Sequence, residues 1–135
     1  MKGLKICTHN VHGMSETEWR FLKHLVTMHV VILIQEHWFR ECQFHLFGDR
    51  VKCINFACTT PMNDNEVTSG RPYRGCAILW KSQLRAEIIP VETRNEWLCA
   101  VRLLTDSFSC ITFCVCMPCD TLHEDDAYNE VLSTM

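Results

Sequence analysis

Two hydrophobic periods alternate along the chain. Leu4 to Thr8 alternates apolar and polar side chains, which is the period of a half-buried strand. His9-Asn10-Val11-His12-Gly13 follows and reads as a turn. Ser15 stands three residues before Glu18, the spacing of a capping box, and Trp19, Leu22, Leu25 and Val26 recur on one face, so a helix is expected over 16–28. Val30-Val31-Ile32-Leu33-Ile34 is apolar at every position and rich in β-branched residues. That is the pattern of a strand buried on both faces, which usually has a parallel neighbour. Strand, helix and strand form a βαβ unit, whose crossover is right-handed by strong precedent.

Beyond Gln35 the helical period is lost. One strand is expected within 50–57, and residues 59–70 are polar and rich in turn formers, so they are expected to form a surface loop. Four strands follow at close spacing, over 75–80, 86–92, 96–103 and 109–116, and their short connections favour antiparallel hairpins. In the third of these Trp97, Cys99, Val101 and Leu103 alternate with Leu98, Ala100 and Arg102, which makes the first set the more completely apolar face. A last helix is expected over 124–134, with Tyr128, Val131 and Leu132 on one side.

Composition narrows the class. Thirteen Lys and Arg against 16 Asp and Glu give a formal charge of −3, which excludes a generally cationic nucleic-acid coat and leaves room only for a local phosphate site. With 47% apolar and 21% charged residues in a chain of 135, one globular domain is expected. There are ten cysteines without the regular spacing of a secreted scaffold, and no apolar run long enough for a signal peptide or a membrane span. The expectation is a soluble protein in a reducing compartment, nucleus or cytoplasm, with free thiols and no membrane partner.

Candidate chemistry lies at the strand ends. If the first two strands are parallel neighbours, Asn10 and the pair Gln35-Glu36 reach the same rim, where open α/β sheets bind ligands. A carboxylate there can hold Mg²⁺ and a side-chain amide can orient a phosphate, although an Asn close to a Gly is more often a turn residue. Arg71, Arg74, Lys81 and Arg85 are the basic concentration, either a contact to a nucleic-acid backbone or a solvated loop. Trp38 and Tyr73 either stack on bases or pack. Cys110, Cys114, Cys116, Cys119 and His123 have ligand-like spacing for zinc, and Cys116-Met-Pro-Cys119 has that of a redox dithiol. On a strand, however, the first three share one face and fill space as small hydrophobes. His9, His12 and His37 are assigned no role.

Four stretches, in order, carry a resemblance. They are Thr8-His9-Asn10-Val11-His12-Gly13, Ile32-Leu33-Ile34-Gln35-Glu36-His37-Trp38, Gly70-Arg71-Pro72-Tyr73-Arg74-Gly75-Cys76-Ala77-Ile78-Leu79-Trp80 and Phe113-Cys114-Val115-Cys116-Met117-Pro118-Cys119-Asp120. Together they resemble the endonuclease/exonuclease/phosphatase fold, in particular the apurinic-type endonuclease domain of non-LTR retrotransposons. The resemblance implies an α/β (α+β) chain forming the N-terminal half of a two-sheet β-sandwich flanked by helices. It implies a Mg²⁺-dependent phosphodiesterase acting on DNA, with Glu36 as metal ligand and Asn10 at the metal and phosphate site. Arg71, Tyr73 and Arg74, from the basic and aromatic positions above, are the candidate nucleic-acid contacts beside it.

The chain departs from that pattern at several points. Cys116 stands where the family has a tyrosine that helps set the phosphate, and His29 where Asp is common. The later Gly-Asp-x-Asn and Ser-Asp-His motifs, which supply the water-activating Asp, a phosphate-binding Asn and the site histidine, are absent. Residues 1–135 are therefore expected to be a partial domain that does not turn over. The alternatives are a non-catalytic nucleic-acid or protein-binding remnant and, with less support, a cysteine-based zinc or redox module. Oligomeric state, nick-site preference and the choice between DNA and RNA stay open.

Overall fold

The uniformly apolar strand becomes the centre of the first sheet because both of its faces have apolar partners. In the computed structural model, which describes residues 3–62, 74–117 and 125–134, this strand is β2 (Val31–Gln35). It pairs in parallel with β1 (Ile6–Asn10) on one side and antiparallel with β4 (Cys76–Lys81) on the other, and β4 pairs with β3 (Ile54–Thr59). Ile32 and Ile34 of β2, with Ala77 and Leu79 of β4, meet Trp19, Leu22 and Leu25 of α1 (Glu16–Met28) and Phe47 of α2 (His45–Arg50). On the opposite face Val31, Cys76, Ile78 and Trp80 meet Cys99, Val101, Cys114 and Cys116 from a second sheet. Period-2 alternation thus sends one set of side chains to the helices and the other to the sheet seam.

The second sheet is an antiparallel meander of β5 (Glu87–Val91), β6 (Leu98–Leu104) and β7 (Ser109–Val115). Its outer face receives α3 (Asp125–Thr134) through Val131, which packs with Trp97 and Leu98. The layers run helix, sheet, sheet, helix, so the expected α+β two-sheet sandwich with flanking helices is present. Among the described residues no helix is long and apolar enough to cross a membrane, and the nine described cysteines are free thiols.

Several expectations shift. β1 runs on to Asn10, because His9 and Asn10 pair with Ile34 and Gln35, so the first part of the expected turn is strand. The connection after β4 is not a hairpin: β4 and β5 lie in different sheets, and Leu84 in the link is drawn into the seam core. Between β2 and β3 the chain forms a 3₁₀ turn (Glu41–Gln43) and α2, neither of which the sequence pattern announced. Leu132 is exposed and Val131 buried, so they do not share the packing face. Cys110 is exposed at the start of β7, whereas Cys114 and Cys116 are buried. The loop beyond Met62, Arg71, Tyr73, Pro118, Cys119, Asp120 and His123, and the side chain of Tyr128, lie outside the described residues.

The start of α1 follows its sequence with one change. Ser15 is extended (φ −71, ψ 168) and its Oγ accepts the Glu18 N–H at 3.3 Å. The Glu18 carboxylate turns instead to His9 Nε2 at 2.9 Å, tying α1 to β1 where a capping box would tie it to its own cap. Ser15→Ala is expected to lower stability by about 1 kcal/mol in urea denaturation, the usual effect of losing an N-cap.

Candidate active site

The C-terminal ends of β1 and β2 and the start of β4 converge on one rim. Asn10 and Gln35 are register partners, Gln35 faces Cys76, and the pairing continues past the strands with His37 N–H to the Gly75 carbonyl at 3.4 Å and Trp38 N–H to the Arg74 carbonyl at 2.9 Å. Glu36 therefore sits between β1 and the approach to β4. Its backbone has φ +58 and its carbonyl accepts the Gly13 N–H at 2.8 Å, which folds the 10–13 turn against it.

His12 joins the two predicted site residues. Its backbone N–H donates to Asn10 Oδ1 at 3.1 Å, and its Nδ1–H donates to Glu36 Oε2 at 2.5 Å. Asn10 is thus a turn former as well as a rim residue, since its carbonyl oxygen closes an Asx turn. The Glu36 side chain is about a quarter exposed and that of His12 about three quarters, so the pair opens to solvent. Trp38, half-buried with φ +62, flanks it at 5.7 Å from the His12 ring and lies over Gly13.

Gln35 connects this rim to the second sheet. Its Nε2 donates to Thr8 Oγ1 at 2.8 Å and to Cys114 Sγ at 3.2 Å, while Cys114 Sγ–H reaches the Ile34 carbonyl at 3.2 Å. Cys116, the position where the resemblance puts a tyrosine, lies in the same corner and is buried. Its thiol is held below the ordinary value, first by a hydrogen bond from the Cys76 thiol and further by the Glu36 backbone and the charge of Arg74; burial and the Glu36 carboxylate oppose this. Cys116, Glu36 and Arg74 are therefore neighbours. The thiol is too short to reach a group in solvent at the mouth of the rim as a phenol would.

The structure brings Asn10, Glu36, Arg74 and Cys116 together. Sequence reasoning missed His12, whose position as a non-glycine residue before Gly13 in a turn was the available signal, and Trp97, whose indole supports Arg74. His37, also given no role, is structural: it is fully buried, its Nε2–H donates to the carbonyls of Thr59 and Cys76 at 3.1 and 3.3 Å, and its Nδ1 accepts the Phe39 N–H at 2.9 Å. Among the described residues no group of three or more His, Cys, Asp and Glu side chains is arranged to hold a metal ion; Cys119 and His123 of the less supported zinc alternative lie outside those residues.

No protein-family model matches the chain, and no curated protein matches it. Among solved structures it is similar to the endonuclease domain of TRAS1, a telomere-specific non-LTR retrotransposon, with a TM-score of 0.66 and 10% sequence identity. The match covers 98% of this chain and 54% of that one. At this identity the likeness establishes the fold alone, and the chain spans little more than half of that structure's length.

Proposed function

We propose that the chain is the metal-holding and DNA-binding first half of a Mg²⁺-dependent endonuclease domain of retrotransposon type, and that it does not turn over by itself. The observation that carries this is where the backbone is strained. Four of the six described non-glycine residues with positive φ, His12, Glu36, Trp38 and Arg74, gather at one rim together with Gly13 and Gly75. Such conformations cost about 1–3 kcal/mol each and persist where a site requires them.

The donor set at the rim fits Mg²⁺. Glu36 offers a carboxylate and Asn10 an amide oxygen, both hard ligands, and Mg²⁺ is commonly held by one or two carboxylates with water and substrate phosphate completing its shell. When bound, the ion would offset charge on the phosphoryl and leaving oxygens. The remaining roles belong to side chains. His12 fixes the Glu36 carboxylate, the Asn10 amide donates to a phosphate oxygen, Arg74 pairs with the backbone, and Trp38 offers an indole face to a base or sugar. Arg71 and Tyr73 belong to the same reading by sequence position. The water-activating Asp and site histidine implied by the resemblance have no counterpart here, and losing one member of a cooperating set commonly removes most of the rate.

Duplex affinity measured across a Mg²⁺ titration, with supercoiled plasmid as a parallel substrate, tests the proposal. Wild type is expected to bind more tightly with Mg²⁺ and to leave the plasmid intact, and Glu36→Gln to lose the Mg²⁺ effect. Equal Mg²⁺ dependence in both proteins would remove Glu36 from the site. Nicking that Glu36→Gln abolishes would overturn the claim of inactivity. The non-catalytic binding reading predicts affinity indifferent to both Mg²⁺ and Glu36.

A further inference from the structure

Arg74 is stacked on Trp97. The guanidinium carbon lies 4.0 Å from the centroid of the indole, which is 8% exposed. Both partners are fixed by their backbones. Arg74 has φ +69 and its carbonyl accepts the Trp38 N–H, so the residue is tied to the segment that carries Glu36. Trp97 donates its N–H to Asn95 Oδ1 at 2.9 Å, and Asn95, itself 6% exposed, reaches Thr134 Oγ1 of α3 at 3.4 Å. The Trp97 carbonyl in turn accepts the Cys116 N–H at 3.1 Å. A single residue at the entry to β6 thus supports both Cys116 and Arg74 beside Glu36.

Stacking restricts an arginine that would otherwise sample many rotamers. It does so through the flat face of the guanidinium, whose N–H donors lie in its plane and point away from the indole. Lysine has no such face, so charge alone does not reproduce the arrangement. Resting on the DNA-binding reading above, we propose that Trp97 is a positioning residue: its indole holds Arg74 at the rim, pre-oriented toward a backbone phosphate of DNA lying at Asn10 and Glu36.

A double-mutant cycle on affinity for a fluorescently labelled duplex, measured over a range of salt concentrations, decides this. Arg74→Ala is expected to weaken binding by about three- to tenfold and to lower the slope of log affinity against log salt by about 0.9, the loss of one phosphate contact. Trp97→Leu is expected to do the same and to cost nothing further in the Arg74→Ala background. Arg74→Lys is expected to lose nearly as much as Arg74→Ala. Arg102→Ala, an exposed charge on the outer face of β6, is the charge-matched control and is expected to leave the slope almost unchanged. If Trp97→Leu weakens binding equally with and without Arg74, or if Arg74→Lys binds as wild type does, the positioning role is refuted. The Lys arm stands even if Trp97→Leu does not fold. Absence of wild-type duplex binding would refute the DNA reading itself and the inference with it.

Discussion

Gly75→Ala is expected to lower stability by about 3–5 kcal/mol, which combines overpacking with left-handed backbone strain. A Cβ at Gly75 would lie 2.3 Å from His37 Cε1 and 2.6 Å from Nε2, and the residue has φ +98. The ring cannot step aside. Its two nitrogens are engaged with Thr59, Cys76 and Phe39, and Phe39, Phe44 and Phe47 stand around it with centroids 5.5 to 5.8 Å away. Gly13 offers a contrast. A Cβ there meets Trp38 Cε3 at 2.5 Å, but Trp38 is half-buried and can shift, so Gly13→Ala is expected to disturb the rim more than the fold. Urea denaturation measures the first effect, with a midpoint falling by roughly 2 M at an m-value of about 2 kcal/mol per M. In a His37→Ala background the clash is gone, and Gly75→Ala should cost only the backbone strain. A Gly75→Ala midpoint within about 0.5 M of wild type would show that the ring yields after all.

How much of this was legible in the sequence depends on how local each cause is. α1 keeps its expected boundaries because its cap, its apolar stripe and its length all lie within one segment. β2 is legible because burial on both faces leaves an unbroken apolar run. α2 is not, since it has six residues, Gly48 in its middle and Phe47 as its one buried side chain, too little for a helical period to register. The extension of β1 to Asn10 comes from hydrogen bonds to β2, and the passage of β4 to β5 between sheets is written in a link no longer than a hairpin turn. At the site, Asn10 and Glu36 follow from parallel pairing, which places the ends of β1 and β2 side by side. The placement of His12 and Trp97 does not. One depends on a left-handed backbone at φ +51 that turns its ring onto Glu36, and the other on a stack between residues that lead into strands of different sheets. Four motifs in order located the fold, yet none of them includes Trp97.

The buried histidine also makes the fold sensitive to acid. Burial, opposed by the backbone contacts to Thr59 and Cys76, pushes the His37 imidazole down from its ordinary 6.5 to about 4. The hydrogen bonds agree with a neutral ring, because Nδ1 accepts the Phe39 N–H and a proton there would face that donor. In the unfolded chain the same histidine titrates near 6.5, so between about pH 6.5 and 4 the unfolded state binds the extra proton and stability rises with pH. The contribution is complete above about pH 6.5 and is lost as pH falls toward 4, by about 3 kcal/mol at roughly 1.4 kcal/mol per pH unit. Stability from urea denaturation at steps between pH 7 and pH 4 is expected to show this slope in wild type. His37→Gln keeps a neutral side chain able to donate to the Thr59 carbonyl, so it should be less stable at pH 7 but flatter across the window. A variant whose pH slope matches that of wild type would assign the acid sensitivity to the carboxylates and not to His37.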